Sequence, residues 1–335
     1  MNTRVSKPTT RLLRTLGQAL ARHLPAAAGG DTHGVHQARV TSRRLREAVP
    51  VFATGLKGSS ARKATRKIGR LTRALGSVRE LDVTLLILDE LAAASDVPRS
   101  AVEDVRAGVV HERDGRRAVM LKRLGRVDLA KLAQRLESVE ASLQNAPEEP
   151  WRKALGSRLL RRSRRLRAAI DAAGHMYSPD RLHEVRIAAK KLRYGLELAS
   201  DAGVRQVAPH VRAIRRLQDL LGKLHDLQVL QSHVAAAEIS RDLARPGGRV
   251  ALDELAAHVE AQCRHLHAKY LALCPGLSEL PTVIRHAVVP RLLPSSAERP
   301  PLKMRLTVPA AASQPRVARA RRAAGEPTRA DRAGR

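Results

Sequence analysis

Two stretches of the sequence carry side chains at spacings that could do chemistry. On a helix of 3.6 residues per turn, His36, Arg39, Arg43 and Arg46 fall within an arc of about 80°. Ala38, Leu45, Val49 and Phe52 gather on a neighbouring face. The same arrangement returns in His183, Arg186, Lys190 and Arg193, with Val185, Leu192, Leu196 and Ala199 on the apolar side. Each helix would bury one face and present a straight line of cations beside it. Such a line suits a linear polyanion: guanidinium forks match phosphate oxygens, and aligned like charges repel until an anion comes between them. The competing reading is a solvated face, or pairing with local acids such as Glu47, Glu80 or Asp226. The recurrence of the pattern, imidazole included, favours the binding face.

The two stretches belong to a longer internal repeat. His36 to Arg46 and His183 to Arg193 align position by position at an offset of 147. A second block follows each: Ile68-Gly69-Arg70-Leu71 through Leu75-Gly76 and Glu80-Leu81-Asp82-Val83, then Ile214-Arg215-Arg216-Leu217 through Leu221-Gly222 and Asp226-Leu227-Gln228-Val229. The interval from the His to that Gly is 40 residues in the first copy and 39 in the second. Two blocks in one order at one separation indicate a duplicated helical unit. The expected fold is therefore all-α: two pseudo-symmetric antiparallel helical bundles whose equivalent faces are brought together.

The histidines would sit in the first turns of their helices, after an N-cap at Asp31 or Ser178 with Pro179 in the first helical position. A helix N-terminus and neighbouring arginines favour neutral imidazole, and a bound phosphate would reverse this. Further basic helices could supply walls of the same groove, through Arg161 and Arg165 in one segment and Arg212 and Arg216 in another.

The elements that must position these residues are legible in the apolar pattern. From about residue 8 to 274 the periodicity is helical, with breaks at 25–30, 96–98, 146–150, 174–179 and 245–248. The half-repeats then run over about 8–145 and 150–274. From 275 to 335 the composition shifts to Pro, Ala, Ser and Arg, which reads as a disordered basic tail. The whole chain has 335 residues, with 50 Arg and 12 Lys against 32 acids, a formal net charge of +30. That excess also points to a polyanionic partner.

Composition excludes several classes. With one Trp, three Tyr and one Phe, the chain lacks the stacking platforms of single-strand and RNA-binding modules. Cys263 and Cys274 form neither a zinc ribbon nor a disulfide scaffold, which fits a reducing cytoplasm. No apolar run reaches the roughly 20 residues of a membrane helix. Neither a Gly-x-x-x-x-Gly-Lys-[Ser/Thr] loop nor an evident carboxylate set for Mg²⁺ is present. The expectation is a binding protein with no catalytic residue, metal or cofactor. The alternative is non-specific binding to nucleic-acid phosphates, in part through the basic tail.

The paired His-x-x-Arg-x-x-x-[Arg/Lys]-[Arg/Lys]-Leu-Arg helices, Leu192-Arg193-Tyr194 and the two Leu-Gly-x-x-x-[Glu/Asp] blocks resemble the CHAD family, the conserved-histidine α-helical domain, over roughly residues 8–274. The resemblance implies two helical bundles around a basic groove, binding of inorganic polyphosphate and association with polyphosphate granules. It assigns ligand contact to His36, Arg39, Arg43, Arg44, Arg46, His183, Arg186, Lys190, Lys191 and Arg193. The chain departs from the family at Arg79-Glu80-Leu81-Asp82, where an Arg-Asp-x-Asp is usual, and at Gln228, which replaces an acid. A salt-bridge role is therefore expected of the acids at these positions.

Overall fold

A computed structural model of the chain describes residues 7–94, 97–240 and 248–292. The described residues form ten long helices and some short helical turns, with no strand among them. In chain order the helices are α1 (Pro8–Ala28), α2 (Thr32–Phe52), α3 (Ser60–Ala74), α4 (Gly76–Ala92), α5 (Arg99–Leu124), α6 (Leu129–Asn145), α7 (Glu149–Ala173), α8 (Pro179–Asp201), α9 (Ala208–Ser240) and α10 (Gly248–Leu273). α2 packs between α1 and α3, and α8 packs between α7 and α9.

Local chemistry explains where the helices begin. The Asp31 carboxylate accepts the Gly34 N–H at 2.6 Å and so caps α2. Gly30 makes the preceding turn with φ +85°, a conformation that suits residues without a Cβ. α8 begins at Pro179 as expected, but the Ser178 side chain makes no capping hydrogen bond. The break expected at Pro25 comes later. Pro25 lies inside the last turns of α1, where its missing N–H forfeits one hydrogen bond without stopping the helix.

Two apolar cores result. The larger is built by α1, α2, α3, α6, α7, α8 and the first half of α9. The sequence-derived core faces of α2 and α8 all lie in it, with Ala38, Leu45, Val49, Phe52, Val185, Leu192, Leu196 and Ala199 fully buried. Full burial of one such Leu stabilises by about 1.5–3 kcal/mol. Phe52 meets Trp151 of α7 edge-on, ring centres 5.3 Å apart, which fixes the end of α2 against α7. The smaller core lies among α4, α5, the second half of α9 and α10, around Leu88, Val109, Leu230 and Leu255. α9 thus runs from one core into the other.

The two repeated blocks take different local forms. In the first half the Leu75-Gly76 step separates α3 from α4, whereas Leu221-Gly222 lies inside the continuous α9. The helical domain also runs past residue 274. Short turns from Pro275 to Leu292 bury Leu277, Leu280, Ile284, Val288 and Leu292 in the larger core, several of them against α7. The tail boundary expected at 275 is therefore too early. Its apolar residues are spaced for short turns rather than for a sustained helix. The disorder expected of the rest of the tail falls outside the described residues. No helix among the described residues is long and apolar enough to cross a membrane.

Candidate functional site

The site is built where α2 and α8 pass each other beside the first turn of α4 and the middle of α9. Burial of Ala38 and Leu45 turns Arg39 and Arg43 to one side of α2, and burial of Val185, Ala189 and Leu192 does the same for Arg186 and Lys190 on α8. Ser42 holds α2 in place from behind: its hydroxyl donates to Arg39 O at 3.0 Å and lies 3.1 Å from Thr72 Oγ1 of α3. The α3–α4 junction leaves room for a guanidinium. A Cβ on Gly76 would stand 2.7 Å from Arg39 Nη1, so the missing side chain is space that Arg39 fills.

The four cations act on one another across the two helices. Burial lowers the Arg39 pKa to about 10, and Arg43 and Arg186 push it the same way, while Tyr194 and Glu80 oppose them. Arg39 therefore stays charged at neutral pH. Lys190 is brought down to about 7, first by burial and then by Arg43, Arg186, Arg39 and Arg46. Arg186 is also lowered by burial, with Asp226 and Glu80 partly restoring it against Arg43. Among the described residues none of Arg39, Arg43, Arg186 and Lys190 makes an ion pair. All four are only half-buried.

The imidazoles flank this cluster. His36 is lowered by burial and by Arg79, His33, Arg39 and Arg43. His183 is lowered by burial and by His225, Arg186 and Lys190. The neutral form expected from the sequence agrees in direction with these shifts. His183 stands against His225 of α9, ring centres 5.0 Å apart, and His225 Nε2 is 3.6 Å from Glu80 Oε1. That contact holds the Glu80 carboxyl below its ordinary value, with burial opposing it. Glu80 also lies 3.9 Å from Arg116 Nη1. Asp226 is raised by burial, with Arg186 and His225 working against the rise.

The remaining candidates are placed differently. Arg46 is exposed but close enough to act on Lys190. Arg44 lies off the stripe and pairs with Asp201 of α8 at 2.8 Å. Lys191 is exposed, and its carbonyl accepts a 2.6 Å hydrogen bond from Arg162 Nη1. Arg193 is 3.3 Å from Glu197 and stacks over Tyr194, 5.0 Å from the ring centre. Arg161, Arg165, Arg212 and Arg216 are exposed, and Arg165 faces Glu184 at 3.9 Å. None of these last four is among the charges acting on the cluster.

Sequence reasoning missed Arg79, His225 and Tyr194 as members of the site. The signal for His225 was available. It precedes Asp226 in the second block as Arg79 precedes Glu80 in the first, so the alignment puts a basic or imidazole side chain at that step twice. Among the described residues no three His, Cys, Asp or Glu side chains gather as metal ligands would.

Comparison with known proteins agrees with the fold. The family model for the CHAD domain matches residues 11–235. The crystal structure of the CHAD domain from the plant Ricinus communis superposes with a TM-score of 0.55 at 21% identity, covering 81% of this chain and 90% of that one. PptA from Streptomyces chartreusis gives a TM-score of 0.57 at 15% identity, covering 79% of this chain and 97% of that one. No curated protein matches the chain. One expectation is corrected by these likenesses. The sequence argued against an enzyme because it lacks the loops and carboxylate sets of familiar phosphoryl-transfer sites. The family match and the fold shared with PptA give no ground for that exclusion, which does not stand. With the family model covering most of its helical domain and the same fold in a solved CHAD structure, the chain belongs to the CHAD domain family.

Proposed function

We propose that the face where α2 meets α8 binds inorganic polyphosphate. The observation that carries this reading is the placement of Arg39, Arg43, Arg186 and Lys190. They come from helices far apart in sequence, act on one another across the gap, and find no ion-pair partner among the described residues. Holding unpaired like charges together costs free energy that a bound polyanion recovers, so the ligand should stabilise the fold as it binds. A flexible chain of phosphates supplies closely spaced negative charges for both helices at once. His36 and His183 would take up protons at its edge. The link between the CHAD family and polyphosphate supports the same ligand, and association with polyphosphate granules would follow from it.

Competition between long-chain polyphosphate and duplex DNA at about 0.15 M salt tests the reading. Polyphosphate should displace DNA, and Arg39→Ala/Lys190→Ala should lose at least about tenfold in polyphosphate affinity while remaining folded. Equal affinity for the two polymers, unchanged in the variant, would assign the binding to diffuse surface charge instead.

A further inference from the structure

The strongest basic feature outside the site just described lies on α3. This helix carries Arg62, Lys63, Arg66, Lys67, Arg70 and Arg73 and no acid. Lys63, Arg66, Lys67 and Arg70 are spaced i, i+3, i+4 and i+7. They therefore share one face over about 10 Å of helix, turned away from buried Ile68 and Leu71. Arg135 of α6 closes the other side, so the five cations line an open cleft of about 230 Å³. Ser138 Oγ donates to Ser60 Oγ at 3.2 Å and ties α6 to the first turn of α3.

Two observations set this cleft apart from ordinary basic surface. On α5, α7, α8 and α10 some arginines pair with an acid one turn away, in Arg99–Glu103, Arg116–Glu112, Arg152–Glu148, Arg167–Asp171, Arg193–Glu197 and Arg264–Glu260. α3 has no such acid. Among the described residues the one ion pair made by a cleft cation is Lys67 Nζ with Asp128 at 3.9 Å, and the Asp128 carboxylate already caps α6 by accepting the Lys131 N–H at 2.8 Å. Among the described residues Lys63, Arg66, Arg70 and Arg135 make no ion pair. Five cations converging from two helices, four of them unpaired, form a concave receptor for a multiply charged anion.

We propose that the α3–α6 cleft is a second binding site for condensed phosphate, separate from the convergence of α2 and α8. The ligand class follows from the charge density. The cleft is walled by the aliphatic stems of five cations spaced over about 10 Å, with no apolar or aromatic residue among them, which suits a short run of linked phosphates and gives no aromatic platform for a base. The choice of polyphosphate as the natural source rests on the reading of the central site.

Calorimetric titration of the full chain with tripolyphosphate, a probe too short to bridge distant sites, tests the proposal. The wild-type chain should bind two equivalents. Arg66→Gln/Arg70→Gln should bind one, and so should Arg39→Ala/Lys190→Ala, each keeping cooperative melting. Exposed Arg66 and Arg70 can be replaced without disturbing the core, and Gln keeps good helix propensity. Two equivalents retained with unchanged affinity in Arg66→Gln/Arg70→Gln would overturn the proposal. So would a loss confined to duplex DNA binding, which would make the cleft a general electrostatic face. A second titration separates the two readings. If Arg39→Ala/Lys190→Ala keeps two equivalents and Arg66→Gln/Arg70→Gln falls to one, the central reading fails and the cleft stands.

Discussion

The imidazole of His183 on α8 lies 5.0 Å from that of His225 on α9, and His225 Nε2 stands 3.6 Å from Glu80 Oε1 on α4. Three helices thus bring titratable groups into one row at the edge of the cationic cluster. Lys190, brought down to about 7 by burial and the neighbouring arginines, changes charge near neutrality.

Binding should therefore be linked to proton uptake. An anion raises the lowered pKa values of Lys190 and His183, so affinity should increase as pH falls. The two residues act in different windows. Lys190 contributes between about pH 10 and 7, and the histidines act at and below their ordinary value of about 6.5. Near pH 8, calorimetry in buffers of different ionisation enthalpy should detect uptake of about one proton per bound chain. Lys190→Arg should abolish that uptake, and His36→Ala/His183→Ala should remove the response between pH 7 and 5.5. An unchanged pH profile in both variants would place these groups outside the site.

The same shift has the opposite consequence for the empty protein. The unfolded chain holds the Lys190 proton up to about pH 10.4, whereas the folded chain releases it near 7. In this window the unfolded state binds more protons, so this residue makes the fold more stable as pH rises from 7 and less stable as it falls. Below pH 7 the penalty is constant. Lys190→Met should raise the ligand-free Tm at pH 6.5 by about 2–4 °C, and the gain should shrink by pH 10. A variant that melts earlier at pH 6.5 would show that Lys190 stabilises the empty fold.

Gly76 tests whether the position of the Arg39 guanidinium matters. A methyl group there would stand 2.7 Å from Arg39 Nη1, and a flexible side chain can yield to it. Gly76→Ala should leave the Tm nearly unchanged while weakening polyphosphate binding severalfold. Gly222→Ala is the control. Nothing lies within 4 Å of a Cβ built there in the middle of α9, so it should raise stability by about 0.5–1 kcal/mol and leave affinity alone. Equal binding losses in both variants would remove any special role from the α3–α4 junction.

The scaffold behind the site depends on a largely buried ionic knot. Arg162 Nη2 of α7 is 2.7 Å from Glu47 Oε2 of α2, Arg162 Nη1 reaches the Lys191 carbonyl of α8, and Arg158 Nη1 lies 3.7 Å from the same Glu47 oxygen. Removing Glu47 strands two cations, whereas removing Arg162 leaves Glu47 with Arg158. Glu47→Ala should therefore cost about 3–5 kcal/mol by denaturant unfolding, and Arg162→Ala less. The reverse order would show that the Lys191 carbonyl bond dominates the knot.

The fold was largely legible because helical periodicity is local. The core faces of α2 and α8 could be read residue by residue, and the Pro and Gly signals at 146–150 and 174–179 mark the ends of α6 and α7. Breaks without a Pro were not read. Leu75 divides α3 from α4, and the turn at Gly125 separates α5 from α6. The site was legible in part for the same reason. The wheel placed Arg39, Arg43, Arg186 and Lys190 on stripes, but their convergence depends on tertiary packing between helices 147 residues apart. Arg44 and Lys191 came from the family resemblance rather than from the wheel. The Arg44–Asp201 pair joins α2 to α8, which no local pattern could reveal.

The end of the helical domain can be tested by truncation. Deleting 293–335 should leave melting and polyphosphate affinity within a few-fold of wild type while lowering any affinity for DNA. Deleting 275–335 should unfold or strongly destabilise the chain, because Leu277, Leu280, Ile284, Val288 and Leu292 leave the larger core. Equal melting of the two truncations would make the short turns dispensable.

The central claim is that one polyphosphate chain touches α2 and α8 together, and its most direct test is the salt dependence of long-chain affinity. Arg39→Ala/Arg43→Ala and Arg186→Ala/Lys190→Ala should each flatten the slope of log affinity against log salt, by about one to two in analogy with counterion release from nucleic acids. Either double variant alone should lose most of the affinity for a long chain, because the second contact is intramolecular once the first has formed. Unchanged slopes and affinities in both variants, with cooperative melting retained, would contradict the account and make the stripes solvated faces.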